Sequence, residues 1–433
     1  MIKEINIKIP AKNLNNSDIL KAIAAEKTVF HISTINHIDI LKKSLDARSK
    51  EIFYQLKVTL YTENDFFRKE DIHFDFKNVE NAEEIHIIGS GPAGLFAALN
   101  CILNGLKPVI FERGKDVSAR KYDTAMLNRD GIINSESNYC FGEGGAGTFS
   151  DGKLFTRSSK RGDISNILKL FVYHGTNPEI LQETHAHIGS DKLPQIIQNI
   201  RNTIIHYGGI IRFNSKIVDF TIENQQITQI VSSEGKIYHC KKVVLATGHS
   251  ANDIYEMLHR KNLQLEAKDF AIGVRIEHPQ TLIDQMQYHQ NKRPAYLSAA
   301  SYNFAVQYQN RGIFSFCMCP GGLIIPTTSE HNKLVVNGMS NSQRNSPFAN
   351  AGLVVNICQE DFKKYRRNEN DALAGLFFRD EIEKRFYNTS NSFIAPAQKL
   401  YDFINNKKSN SLNQTTYHLG VVSENFHEIF PEI

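Results

Sequence analysis

Apolar and polar residues alternate along several short runs of the chain, and longer helical periods separate those runs. Ile2 precedes a run in which Ile5, Ile7 and Ile9 alternate with polar residues, which predicts a strand. Asn16, Ser17 and Asp18 then offer caps for a helix over residues 19–25. Residues 41–47 fit a short helix or the start of a strand. Residues 51–61 alternate cleanly, with Tyr54, Leu56, Val58 and Leu60 on one face. Residues 1–80 therefore read as a small α+β domain. The polar stretch 77–84 links it to the next domain.

From there the pattern changes. Residues 85–88 form a short apolar strand, 95–104 a helix ending at Gly105, and 108–111 a second apolar strand. Farther on, 191–207 predict a helix closed by Gly208 and Gly209. Strands come next at 210–213, 217–222, 227–232 and 242–246. Residues 252–345 are strand-rich and less regular, 371–387 look helical, and 407–414 are polar loop.

Composition narrows the class. A length of 433 residues suggests two to three domains, and 41% apolar with 22% charged residues is ordinary for a globular protein. The net charge of +4 is too weak a field to argue for nucleic acid. The apolar stretch at 85–111 is broken by Ser90, Asn100, Asn104 and Lys107, so no membrane span is expected. Six scattered cysteines do not describe a disulfide-built domain, and no C-x-x-C is present. The N-terminus lacks the apolar core of a secretory signal, so a reducing cytoplasm is the expected compartment.

The chemistry begins at Gly89-Ser-Gly-Pro-Ala-Gly94. A G-x-G-x-x-G alone is weak, but here a strand precedes it, a helix comes after it, and Glu112 closes the next strand 23 residues after Gly89. Gly89 permits the tight turn, Gly91 lets a pyrophosphate approach the backbone, and Gly94 lets the helix pack on the sheet. The helix N-terminus supplies free N–H groups to the phosphates. Glu112 can accept hydrogen bonds from both ribose hydroxyls and would repel a 2′-phosphate. The bland alternative is a glycine-rich turn with a surface glutamate, and the agreement of strand, spacing and acid argues against it. Pro92-Ala93 and Glu112-Arg113-Gly114 look like the FAD variant of the fingerprint. No second fingerprint is visible, so a separate NAD(P)H domain is not expected.

Residues 141–153 hold five glycines, from Gly142 to Gly152, without a strand before or a helix after. This suits a loop passing close to a flat ligand, where Cβ atoms would clash. A mobile glycine loop is the alternative.

Together with later segments these motifs resemble an uncharacterised family of FAD-dependent dehydrogenases among the glutathione-reductase-like FAD/NAD(P)-binding flavoproteins. The similar stretches are 88–97, 141–154, 187–193, 243–250, 272–279, the CMCPGG run at 317–322, and 336–340, in that order. The resemblance implies an α/β protein in which a Rossmann-type FAD-binding domain carries an inserted β-rich substrate domain, preceded by the small N-terminal domain. The expected boundaries are 1–80, 81–250 for the FAD domain, 251–400 for the substrate domain, and 401–433 for a tail returning to the FAD domain. It places Gly89, Gly91, Pro92, Ala93 and Gly94 at the pyrophosphate, and Glu112 and Arg113 at the adenine-side ribose. Gly145, Ala146, Gly147 and Thr148 would lie toward the flavin. Ile217 would meet the adenine edge through its backbone, and Thr247 and Gly248 would end a strand near the cofactor. The resembling family continues past 417–424 with a Gly-rich segment that closes on the cofactor. This chain stops at Ile433, which predicts a shortened sequence or an incomplete site.

The implied activity is an FAD-dependent oxidoreductase, passing a hydride between a small molecule and the flavin, with an unidentified electron acceptor. The alternative is a shortened, weakly FAD-binding or non-catalytic remnant. Arg275 and Glu277, two apart in a strand, share one face. Arg275 is the candidate clamp for a substrate carboxylate, which would make the substrate anionic, and Glu277 or His278 the candidate proton carrier. An exposed Arg–Glu pair is the competing reading. Cys317 and Cys319 are read as small buried residues before a turn in preference to a flavin-side thiolate. His185 and His187 have no further ligand nearby, so no metal is expected. Lys153, Arg157, Lys160 and Arg161 read as a solvated basic loop in preference to an anion attractor.

Overall fold

The computed structural model describes residues 2–62, 65, 67, 71–155, 162–368 and 371–430. Four elements form the N-terminal unit: β1 (Lys3–Pro10), α1 (Ser17–Glu26), β2 (Ile35–Asp46) and β3 (Phe53–Thr62). The strands are antiparallel in the order β1-β3-β2. Asn16 is the cap that starts α1, its side-chain oxygen accepting from the N–H groups of Asp18 and Ile19 at 3.1 Å each. Ile7, Ile9, Leu56, Val58 and Leu60 bury their shared face against Leu20 and Ala24 of α1. The stretch 41–47, readable as helix or strand, is strand through Asp46.

The next unit is a parallel sheet. Here β4 (Glu84–Ile88) leads through the glycine turn into α2 (Pro92–Leu103) and back to β5 (Lys107–Phe111). The helix starts earlier than its apolar pattern suggests, because Pro92 is pre-organised for the first helical position. After α3 (Val117–Asp130), α4 (Ile164–Tyr173) and α5 (Leu193–His206), β6 (Ile210–Arg212) joins the edge beside β5. An antiparallel trio, β7 (Ile217–Glu223), β8 (Gln226–Ser232) and β9 (Ile237–His239), precedes β10 (Val243–Leu245), which returns beside β4. The order is β10-β4-β5-β6, all parallel. Its strands carry near-continuous apolar residues because both faces are covered. Ile85, Ile87 and Ile110 pack toward α2 and α5, while Ile88, Val109 and Phe111 face the antiparallel trio and α6 (Asn252–Arg260).

Downstream, β11 (Phe270–Pro279), α7 (Gln280–Tyr288), β12 (Ala305–Tyr308), β13 (Arg311–Cys319), β14 (Gly322–Pro326), β15 (Val336–Ser340) and β16 (Phe348–Ile357) build the strand-rich region. Four of these strands form an antiparallel sheet, β11-β16-β13-β12, and β14 pairs β15 as a hairpin. The helix α8 (Ala374–Asn388) packs Phe378 and Ile382 against Phe362 and Ile357. Short elements close the described chain: β17 (Ala395–Ala397), α9 (Leu400–Ile404), β18 (Val421–Ser423) and α10 (Phe426–Ile429), with β17 parallel to β18. The result is a mixed α/β protein with several sheets. Among the described residues no helix is long and apolar enough to cross a membrane.

Candidate functional site

The site begins where β4 ends. Gly89 has φ +102°, and a Cβ there would overlap the carbonyl oxygen of Ala246, so the turn runs directly against the chain leaving β10. Gly91 is the N-cap of α2 and has no side chain to satisfy the helix N–H groups behind it. A Cβ on Gly91 would meet only the Cα of Gly145, at 3.8 Å. Gly145 of the second glycine segment therefore lies against Gly91 at the helix N-terminus, with no side chain on either residue.

Glu112 ends β5 and is 4% exposed. One carboxylate oxygen accepts from the N–H and the hydroxyl of Ser90, both at 2.8 Å; the other accepts from the N–H groups of Gly114 at 2.9 Å and Gly142 at 3.0 Å. Four donors fill the roughly four lone-pair positions of a carboxylate. The acid expected at a ribose thus binds the two glycine segments together. Arg113 is equally engaged. Its guanidinium donates to Glu136 at 2.6 Å and to both oxygens of Asp253, and it lies 4.2 Å from the Phe141 ring centroid.

The second glycine segment folds over the first. The N–H of Gly144 donates to the carbonyl of Ser90 at 2.9 Å, and 145–147 form one 3₁₀ turn. What shapes this loop is Arg120 of α3, fully buried. Its guanidinium donates to the carbonyls of Asn138, Tyr139, Gly142, Glu143 and Gly145 and to the Thr148 hydroxyl. Burial draws Arg120 down to about 10, opposed chiefly by the charge of Glu112. Thr148 is fully buried: its hydroxyl donates to the carbonyl of Glu143 and its N–H to the carbonyl of Gly145 at 3.3 Å. Glu143 is itself buried, and desolvation raises it to about 7 despite the N–H of Val117 and the nearby Arg201.

Beside the loop opens a cavity of about 660 Å³. Ala146 and Phe149 of the glycine loop, His249, Asn337 of β15, and Arg379 and Glu383 of α8 are among its walls. Burial raises Glu383 to about 7, with Arg379 working against the shift, and burial lowers His249. Gly248 has φ +74° and no atom within 4 Å of its Cβ direction, and Thr247 lies against Gly89. Ile217 is buried at the start of β7, paired through its backbone with Ser232.

The three residues expected to act on substrate sit on β11, behind the cavity rather than in its walls. Arg275 donates to Asn337 at 3.2 Å, to the Cys317 carbonyl at 3.1 Å and to Asn350 at 3.1 Å. It meets the cavity wall from behind, at Asn337 and Gly338. Glu277 accepts from the N–H and hydroxyl of Thr416. His278 bonds the Tyr302 hydroxyl at 2.8 Å, and burial lowers its basicity. His185 packs on Phe155 and His187 bonds the Ser342 carbonyl. Among the described residues no group of three or more His, Cys, Asp or Glu is placed to hold a metal. Arg157, Lys160 and Arg161 lie outside the described residues, while Lys153 pairs with the buried Asp151 at 2.8 Å. Arg120, Glu143, Arg379 and Glu383 do not stand out in the sequence. Nothing local marks them, since each is defined by partners or walls distant in the chain.

A family profile described as "FAD-dependent protein, C-terminal domain-like" matches residues 269–433, and a domain of unknown function matches residues 1–61. A protein of Clostridium beijerinckii, described as uncharacterized, is 39% identical over 453 residues, covering 98% of this chain and 83% of that protein. The chain belongs to the same family. Its cofactor is FAD. Solved structures with some similarity include the flavin-dependent brominase Bmp2, at 16% identity and TM-score 0.33 over 71% of this chain and 64% of that one. Another is CtdE in complex with FAD, at 12% identity and TM-score 0.28 over 63% and 59%. The chain spans less than two thirds of either.

The residues present suit FAD in one part and resist it in another. The N-terminus of α2 has no side-chain cap and carries free N–H groups that suit a phosphate, with Gly145 lying against it. The Glu112 carboxylate, by contrast, is already saturated by protein donors.

Proposed function

We propose that this protein is an FAD-dependent dehydrogenase, in which a hydride passes between a small-molecule substrate and the flavin. In this reading a Rossmann-type FAD domain at 81–250 carries an inserted substrate domain at 251–400. The small domain at 1–80 precedes it, and 401–433 return to the FAD domain. The observation that carries the reading is the uncapped start of α2, roofed by a second glycine loop and opening beside a cavity of about 660 Å³. Bound FAD supplies two-electron redox chemistry.

The chain's own residues hold and orient. Gly89, Gly91, Pro92, Ala93 and Gly94 receive the pyrophosphate. Glu112 and Arg113 serve the ribose end, Ile217 the adenine edge through its backbone, and Thr247 and Gly248 the strand end. The backbone of Gly145, Ala146, Gly147 and Thr148 faces the flavin. Arg275, acting through Asn337, favours an anionic substrate, and Glu277 or His278 manages a proton. Glu383, raised to about 7 by burial in a cavity wall, is a stronger candidate for that proton than either. Six unpaired cysteines accord with a reducing cytoplasm.

The test is the visible spectrum of the purified chain, with chromatography of what denaturation releases. Flavin bands and released FAD are expected. A protein that stays colourless after incubation with excess FAD would overturn the reading. The saturated Glu112 favours a second version, in which FAD is held weakly. Titration of the apoprotein with FAD separates the two.

A further inference from the structure

A separate cluster lies behind the cavity, on the bulge of β13. The register of β13 against β16 jumps between Phe316 and Cys319, and within the bulge Cys317 has φ +45°. A non-glycine residue held there is strained, and such strain persists only where its surroundings over-determine it. The bulge turns both thiols toward one cation. Lys153 Nζ lies 3.9 Å from Cys317 Sγ and 3.8 Å from Cys319 Sγ. Arg275 approaches from β11, donating to Cys319 Sγ at 3.7 Å and to the Cys317 carbonyl at 3.1 Å. Asp151, paired with Lys153 and Arg344, is the acid that opposes these cations at Cys317.

Cations facing sulfur favour thiolate and disfavour a soft metal ion. Cys319 is fully buried, Cys317 is partly exposed, and Lys153 keeps 35% of its side chain exposed. A small solute therefore reaches Cys317 first. The neighbouring Cys319, whose thiol donates to the Cys317 carbonyl at 3.4 Å, holds the Cys317 thiol well below its ordinary range together with Lys153 and Arg275; Cys317, with burial, pushes Cys319 up.

We propose that Cys317 and Cys319 form a nucleophilic thiol pair that takes a hydroperoxide, with Cys317 the attacking thiolate and Cys319 the resolving thiol. The Cys317 thiolate attacks the terminal peroxide oxygen and the O–O bond breaks. The leaving hydroxide or alkoxide takes up a proton, beside Lys153 and Arg275. Cys317 is then a sulfenic acid. The Cys319 sulfur attacks it, an S–S bond forms, the S–O bond breaks, and the hydroxyl leaves with the Cys319 proton as water. Both sulfurs are oxidised and the peroxide is reduced by two electrons. The pair does not depend on the FAD reading.

The experiment uses the full-length purified chain. Iodoacetamide at pH 6 should alkylate Cys317 about tenfold faster than the exposed Cys358. That figure sets the thiolate fraction of Cys317 against the lower intrinsic reactivity of an acidic thiol. One equivalent of hydrogen peroxide should remove two hydrogens from the peptide carrying both cysteines. In Cys319→Ser the product should become a sulfenic acid at Cys317, trapped by dimedone. Lys153→Met should slow the alkylation at pH 6 severalfold, and Lys153→Arg should restore it. Equal alkylation of Cys317 and Cys358 would overturn the proposal, as would peroxide treatment that leaves the pair as two thiols. If Cys319→Ser does not fold, the wild-type alkylation and mass measurements decide alone.

Discussion

At the scale of single residues, Arg120 and Glu143 hold the glycine loop, and both are buried charges whose cost depends on their partners. Replacing Arg120 by Met takes a buried donor away from five carbonyls and a hydroxyl. Breaking such an arrangement from one side costs about 3–5 kcal/mol. Urea unfolding of Arg120→Met should show a loss of that size, where a surface arginine would show almost none. Glu143 gives a pH dependence. Its folded value, about 7, stands above the ordinary carboxylate value of 4.5. Between those limits the unfolded chain ionises first, so stability is full below the lower value and falls as pH rises toward the upper one. The loss should approach about 3 kcal/mol. Melting curves from pH 5 to 8 should show this decline in the wild type and a flatter profile in Glu143→Gln.

At the scale of elements, the turn between β4 and α2 separates fold from ligand. An alanine at Gly89 would meet the Ala246 carbonyl in a left-handed conformation, whereas one at Gly91 would meet only the Cα of Gly145. Gly89→Ala should therefore lower stability by about 2 kcal/mol or more. Gly91→Ala should leave the melting curve within about 0.5 kcal/mol of wild type and weaken FAD binding tenfold or more. Equal losses of stability in the two variants would contradict this division.

This unit is also the most legible in the sequence. Strand, glycine turn, helix and strand are local, and each residue's part is set by near neighbours. Residues 41–47 are ambiguous for an equally local reason. The pairing of β2 with β3 shifts between Ile40 and Lys42, and the bulge interrupts the alternation that marks a strand. The glycine loop can be recognised but not shaped from its own residues, because Arg120, which shapes it, comes from α3.

At the scale of the whole molecule, the candidate site joins segments that are far apart in the chain. Asp151 of the glycine loop pairs with Arg344, in the turn after β15, at 2.7 Å. Arg379 of α8 donates to Asn252, at the start of α6, at 2.8 Å. Such distant pairings explain why the cavity and Glu383 cannot be read from the sequence, although the fold class can. They also bear on how a ligand arrives. A ribose hydroxyl can bond Glu112 only if Ser90, Gly114 or Gly142 gives up its place. Uptake of FAD then becomes an exchange of partners, paced by release of the 142–145 loop rather than by collision. In stopped-flow mixing, the observed rate should rise with FAD concentration and level off at a ceiling set by that release. A rate that climbs linearly without limit would mean that the carboxylate never has to change hands.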